Sequence, residues 1–225
     1  MVLTDEDRAR VAAAVTAAET TTDAEVAVIA AARSDDYRDA ALHWTVLAML
    51  LIVAGQAFVP DHFARLLDVL PGADRWGEGA PAGDLLALAA VLAALVFLAG
   101  QALFRGPALR VASAPHATRA RRVRGRAILL FRTGVESRTA TRTGVLLYLS
   151  IAERRAEIVA DAAVTAAVAP EEWGAAMVAL TAELKAGRAG DGLVAAVGRI
   201  GAVLAQHIPY TGTDPNELPD RLIEL

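Results

Sequence analysis

The sequence contains no cysteine, which excludes disulfides, thiolate catalysis and zinc sites built on cysteine. Its histidines are few and lie far apart along the chain: His43, His62, His116 and His207. None lies within a metal-ligand spacing of another, so we predict no metal site. The formal net charge is −4, which argues against a nucleic-acid partner. The composition therefore excludes these classes of site, and the remaining information lies in the pattern of hydrophobic residues.

Two long runs of the chain lack charge altogether. Leu42–Val59 spans 18 residues and Leu85–Phe104 spans 20 residues, with no Asp, Glu, Lys or Arg in either. A helix of roughly 20 apolar residues crosses the hydrocarbon core of a bilayer. The runs predict a transmembrane hairpin, with spans at about 40–59 and 85–104. The alternative, two buried helices of a soluble core, would need more covering protein than this chain provides.

Charges on either side of the runs predict the orientation of the hairpin. The loop 60–84 carries Arg65 and Arg75 against five acids. Seven arginines and no acid follow the second span: Arg105, Arg110, Arg119, Arg121, Arg122, Arg124 and Arg126. The positive-inside rule predicts both termini in the cytoplasm of a bacterial cell and the loop outside the inner membrane. The seven arginines are predicted to contact anionic lipid headgroups.

The spans themselves contain small and amide side chains at matching positions. Gly55-Gln56 and Gly100-Gln101 lie at similar depths and allow close helix packing within the hairpin or in a homo-oligomer. The spans hold no ionisable residue apart from His43 near one end. We therefore predict no proton or substrate path through them.

The flanking segments have the patterns of soluble α/β protein. Residues 1–38 predict a helix capped by Thr4 and then a buried strand near 25–30. Residues 107–208 predict a helix, two strands joined by a charged turn, and two further helices, the last capped by Asp191. Residues 209–225 are predicted to be a loop-like tail, and the hairpin occupies 39–106. We predict one sheet flanked by helices, interrupted by the hairpin.

Several short motifs occur in a recognisable order. They are Thr22–Val28, Arg142–Tyr148, Arg154–Asp161 and Gly190–Leu193. In this order they resemble the TPM domain family, also called TPM phosphatases, over about residues 3–36 and 116–208. The resemblance implies an α/β fold, and the inserted hairpin looks like a bacterial membrane subgroup. The glycine-rich stretch that often follows the second hairpin strand in this family is replaced here by alanines around Asp161.

The resemblance implies two functions, because some members are acid phosphatases and others assist or modulate membrane complexes. A phosphatase needs a nucleophile or metal-bound water and cations for the phosphate. The candidates are the carboxylates of Glu25, Glu157 and Asp161, with Arg154 and Arg155 as phosphate or partner contacts. Glu157 and Asp161 would share a face if one strand held both. The alternative is that these are solvated charges at strand ends.

The candidate residues form no convincing catalytic constellation in the sequence. We therefore predict a binding or assembly module for an unidentified partner, membrane-bound or cytoplasmic, without a cofactor. The alternative is a membrane-tethered acid phosphatase that uses a divalent cation.

Overall fold

The computed structural model describes residues 3–69, 81–136, 143–212 and 221–225. The chain divides into two compact units. Unit 1 comprises Met1–Asp35 and His116–Leu225, and unit 2 comprises Asp36–Pro115. The fold of unit 1 is α/β, as the sequence predicts.

Unit 1 contains a four-stranded sheet and five α-helices in its described part. The helices are α1 (Asp5–Glu19), α6 (His116–Phe131), α7 (Ala162–Ala167), α8 (Gly174–Lys185) and α9 (Ala189–His207). A π-helical turn (Arg132–Glu136) follows α6, and a 3₁₀ turn (Pro170–Trp173) precedes α8. The strands are β1 (Val26–Ala31), β2 (Val145–Ser150), β3 (Arg155–Ala160) and β4 (Leu222–Glu224). Thr4 caps α1 in a capping box, as predicted.

The strand order is β3-β2-β1-β4. Both β2 and β4 pair with β1 in parallel, whereas β3 pairs with β2 in antiparallel orientation. The β2–β3 hairpin is therefore confirmed. The prediction of a loop is wrong for Leu222–Glu224, which form β4 and pair with Val28–Ala30 of β1. Three residues are too few to carry a strand signal of their own, so only the neighbouring strand defines them.

Alternate residues of the two central strands face opposite helical layers, as the period of a strand requires. Val28 and Leu147 point into a core made with α1, α8 and α9. Ile29 and Tyr148 point into a second core made with α6. Because both faces are covered, the two parallel strands are buried along their whole length.

The first turn of α9 packs against α1. The prediction that Asp191 caps α9 is wrong, since the helix begins at Ala189 and Arg188 occupies the cap position. Asp191 instead accepts a hydrogen bond from Arg10 Nη1 at 2.7 Å. Gly190 is buried against α1, so the glycine there serves close packing rather than a turn.

Unit 2 contains the two apolar helices. They are α2 (Arg38–Phe58) and α4 (Ala82–Leu103), with the short helices α3 (Pro60–Asp68) and α5 (Pro107–Ser113) beside them. Both long helices are long and apolar enough to cross a membrane, with mean hydropathies of 1.7 and 2.4 over their most apolar windows. Within each window only 11% of the residues are buried inside the protein. Large apolar side chains therefore face outward, as Phe58 does at 85% exposure.

The two long helices contact each other directly. A Cβ added to Gly100 of α4 would lie 2.7 Å from Thr45 Cγ2 of α2, so the glycine permits the close approach. Trp44 Nε1 donates a hydrogen bond to the carbonyl oxygen of Ser113 at 2.9 Å, which fixes the end of α5 beside α2. Pro107 occupies the first turn of α5 and is the sequence signal for this helix, which was not among the predicted elements.

Candidate functional site

The three parallel strands end at one edge of the sheet, which we call the carboxyl edge. Here β1 ends at Ala31, β2 at Ser150 and β4 at Glu224. Loops that follow parallel strands commonly carry the ligand-binding residues of α/β domains. A binding site in unit 1 is therefore expected at the carboxyl edge.

A buried polar network joins the loops at the carboxyl edge. Glu153 accepts a hydrogen bond from the Ser34 amide at 3.0 Å through one carboxylate oxygen and from Ser150 Oγ at 2.5 Å through the other. Ser34 Oγ lies 2.8 Å from Ser150 Oγ and 2.9 Å from Tyr148 Oη. Glu153 is 5% exposed, and Ser150 and Tyr148 are fully buried. Both oxygens of the Glu153 carboxylate accept hydrogen bonds, so the network joins the loop after β1 to the β2–β3 turn.

An ion pair and a second polar contact also join α6 to the residues of this edge. Arg122 of α6 contacts Asp35, in the loop after β1, at 2.6 Å. Arg155 Nη1, at the start of β3, lies 3.2 Å from His116 Nε2. These contacts hold α6 beside the carboxyl edge. The charge of Arg122 is paired with that of Asp35 inside unit 1.

A cavity lies on the other side of the β2–β3 turn, and we call it the turn–α8 cavity. It has a volume of about 630 Å³ and is lined by Ile151, Ala152, Arg154, Thr181, Leu184, Lys185 and Gly187. Two of these side chains are cationic, and none of these lining residues is acidic. The cavity is therefore suited to a group that is partly apolar and negatively charged.

Two residues that line the turn–α8 cavity, Arg154 and Gly187, have positive φ angles. Arg154 has φ of 50° and is exposed at the turn. Gly187 has φ of 81°, and its amide donates to the Leu184 carbonyl while the Arg188 amide donates to that of Glu183. These two bonds form a Schellman motif that ends α8. Lys185 is therefore the last residue of α8, immediately before the Schellman turn.

The acids nominated from the sequence lie elsewhere. Glu25 precedes β1 and Asp161 follows β3, so both lie at the opposite edge of the sheet, each 4% exposed. Glu157 lies within β3 opposite Tyr148 and contacts Arg124 at 3.3 Å.

The expectation that one strand holds both Glu157 and Asp161 is wrong. β3 ends at Ala160, and Asp161 caps α7, where it accepts a hydrogen bond from the Ala162 amide at 2.8 Å. The chain turns into α7 at Asp161 because the carboxylate of this residue satisfies an amide of the first turn of the helix.

The structure separates two of the nominated acids, Glu25 and Asp161, from the nominated arginines of the β2–β3 turn. Arg154 and Arg155 lie at the carboxyl edge, whereas Glu25 and Asp161 lie at the other end of β1 and β2. Six strand residues separate the two edges by about 17 Å, at about 3.3 Å for each step. A single phosphate could not contact both groups. Within the part of the chain that the structure describes, no three His, Asp or Glu side chains cluster to hold a metal ion.

The seven arginines nominated for lipid contact divide between the units. Arg105 and Arg110 belong to unit 2, and the other five belong to α6 in unit 1. Arg122 and Arg124 pair with acids of unit 1, as described above, whereas Arg121 and Arg126 are exposed on α6.

Sequence reasoning missed the Ser34–Tyr148–Ser150–Glu153 network. The signal available was a pair of hydroxyl side chains, Tyr148 and Ser150, inside an otherwise aliphatic buried strand. Such groups need partners when they are buried. The partner Glu153 follows three residues later, but Ser34 is more than 100 residues away in the chain.

These features define an α/β domain whose chain is interrupted by two apolar helices. The TPM domain family model matches residues 109–203 of this chain. The match ends before β4 and begins after β1, both of which complete the sheet in the structure.

A solved structure supports the fold. The NMR structure of BA42 protein from the psychrophilic bacterium Bizionia argentinensis aligns with a TM-score of 0.56 at 16% identity, covering 100% of this chain and 97% of that chain. At this identity the likeness concerns the fold. No curated protein sequence matches the chain.

Proposed function

We propose that the protein is a two-pass protein of the bacterial inner membrane whose cytoplasmic TPM domain binds an acidic segment of a membrane-complex partner. The observation that carries the proposal is the exposure of α2 and α4. Helices of a soluble core bury most of their surface, but these expose large apolar side chains along both lengths. A bilayer is the solvent in which such a surface is stable.

The charge distribution supports the proposed orientation. The segment between α2 and α4 is acidic on balance, whereas the segment after α4 carries arginines without acids up to residue 126. Positive residues are retained on the cytoplasmic side. Unit 1 is formed by the chain on both sides of unit 2, so both of its parts must be on one side of the membrane to form one sheet.

The turn–α8 cavity is our candidate for the partner site. Arg154 and Lys185 supply two positive charges beside an apolar wall that includes Leu184. An acidic segment with one apolar side chain would neutralise the charges and cover the wall. The network of Glu153 supports the cavity indirectly, because it holds the turn that carries Arg154.

A binding role is favoured over hydrolysis by the separation of the nominated groups. The carboxylates of Glu25 and Asp161 lie at one edge of the sheet and the arginines of the β2–β3 turn at the other. Asp161 caps a helix, and Glu153 is fully hydrogen bonded. The rival phosphatase makes a clear prediction: purified protein with divalent cations would hydrolyse p-nitrophenyl phosphate, and Asp161→Asn would abolish that activity. We expect no hydrolysis above a protein-free control.

Orientation is tested with single cysteines in this cysteine-free chain. Ala17, Ala82 and Ala166 are exposed positions in unit 1, at the start of α4 and in α7 respectively. With a membrane-impermeant thiol reagent on intact cells, we expect labelling of Ala82→Cys alone, and labelling of all three after lysis. Labelling of Ala17→Cys and Ala166→Cys in intact cells would place the domain outside and refute the proposed topology.

Partner binding is tested with charge reversal. Proteins crosslinked in membranes to a photoreactive residue at Thr181 should be lost in the variant Arg154→Glu/Lys185→Glu. Arg199→Glu, at an exposed position on α9 that does not line the cavity, provides the control for a changed charge. An identical crosslinking pattern in all three proteins would exclude the turn–α8 cavity as the partner site.

A further inference from the structure

Two cavities lie where α2 contacts α4 within unit 2. Both are lined by Thr45, Gly100 and Phe104, so they share a floor. One has a volume of about 790 Å³ and the other of about 440 Å³. The shared floor depends on the close approach of Gly100 to Thr45.

The larger cavity is an apolar groove. Its walls include Trp44 and Ala48 of α2 and Val96 and Leu103 of α4. Val96 and Leu103 are seven residues apart, which corresponds to about 10 Å along a helix. Half of the hydrocarbon core of a bilayer measures about 15 Å. The groove therefore extends from the end of α4 over much of the depth that one acyl chain occupies in a leaflet.

The smaller cavity is lined by three arginines, Arg38, Arg105 and Arg110, and none of the described residues that line it is acidic. Arg110 Nε is buried and has no hydrogen-bond partner among the residues that the structure describes. A buried donor without an acceptor is unfavourable, and a phosphate oxygen is a strong acceptor for a guanidinium. The side chain of Arg38 is 80% exposed, and its Nη2 lies 3.6 Å from a carboxylate oxygen of Asp36, a long contact that a phosphate could replace.

We propose that this pair of cavities is a site for one anionic phospholipid. The phosphate of its headgroup contacts Arg38, Arg105 and Arg110, and one acyl chain lies in the groove beside Trp44. The order of the two cavities matches the lipid, because the arginines lie at the helix ends and the apolar walls continue along the helices. The inference rests on the proposed membrane insertion of α2 and α4.

Other occupants fit less well. A free phosphate would contact the arginines but leave the groove empty. A second copy of the hairpin would cover the groove with apolar side chains, but the two uncharged runs contain no acid to pair with the arginines. An anionic phospholipid would fill both cavities, because one molecule carries the phosphate for the arginines and the acyl chain for the apolar groove.

Trp44 lines the groove and reports on its occupant. We would reconstitute the full chain carrying Trp76→Phe and Trp173→Phe, so that Trp44 is the remaining tryptophan. Brominated phosphatidylglycerol and brominated phosphatidylcholine would then compete as quenchers of its fluorescence in vesicles. The variant is Arg110→Gln, and the matched control is Arg65→Gln, which removes the same charge from an exposed position on α3.

We expect phosphatidylglycerol to be the preferred quencher of Trp44. Arg110→Gln should reduce that preference about fivefold, as expected for one arginine near an anionic surface, and Arg65→Gln should leave it unchanged. Equal quenching by both lipids, or a preference that survives Arg110→Gln, would overturn the lipid site while leaving membrane insertion intact. Loss of quenching by both lipids in vesicles that carry the protein would indicate a second copy in the groove and overturn the site. Failure of the protein to float with vesicles would overturn both the site and the proposed function.

Discussion

Replacement of Glu153 by alanine tests whether the buried network holds the carboxyl edge together. The substitution removes the acceptor of the Ser34 amide and of Ser150 Oγ. Leaving a buried donor without its acceptor costs about 1–3 kcal/mol. The two donors together predict a loss of about 2–6 kcal/mol from the free energy of unfolding, which is a large part of the stability of an ordinary domain.

The measurement is pulse proteolysis of the full chain in detergent across a urea series, which reports the midpoint of unfolding. Glu171→Ala is the matched control, because it removes the same charge from an exposed position in the 3₁₀ turn before α8. Glu153→Gln should fall between the wild type and the alanine variant, since its amide retains one acceptor oxygen. A loss of less than about 1 kcal/mol in Glu153→Ala, or one equal to that of Glu171→Ala, would refute the role assigned to the network.

Three further predictions concern the helices of unit 1 and use the same unfolding assay. Gly201→Val should destabilise by about 1–3 kcal/mol, because even a Cβ at Gly201 would lie 2.6 Å from that of Ala18; an unchanged midpoint would show that α9 can move away from α1. Gly187→Ala should cost about 1 kcal/mol, because its φ is 81°; no loss would mean that the Schellman turn relaxes. The hydrogen bond from the Thr4 amide is the largest cause that lowers the pKa of Asp7 below its ordinary value of 3.8. The stabilisation from ionised Asp7 is therefore present above that value and lost as the pH falls through the lowered pKa, so wild type and Asp7→Asn should converge in acid and differ at neutral pH. A constant difference at all pH values would contradict this assignment.

The features predictable from the sequence are those encoded locally. The two apolar runs predict α2 and α4 because the length of an uncharged run is a property of consecutive residues. Thr4 predicts the start of α1 for the same reason, since a cap and the amides it satisfies lie within one turn. The aliphatic run at Val145–Ser150 likewise predicts β2, and the short charged turn after it predicts the hairpin.

Features that join distant parts of the chain required the tertiary structure. β4 is too short to be recognised alone and becomes a strand because β1 offers it an unpaired edge. The Glu153 network exists because parallel pairing of β1 with β2 brings Ser34 beside residues that follow it by more than 100 positions. The separation of Glu25 and Asp161 from Arg154 depends on which ends of the strands share an edge. Sequence periodicity identifies a strand and its faces, but strand order and direction arise from burial of both sheet faces at once, and this decided where the charged side chains meet.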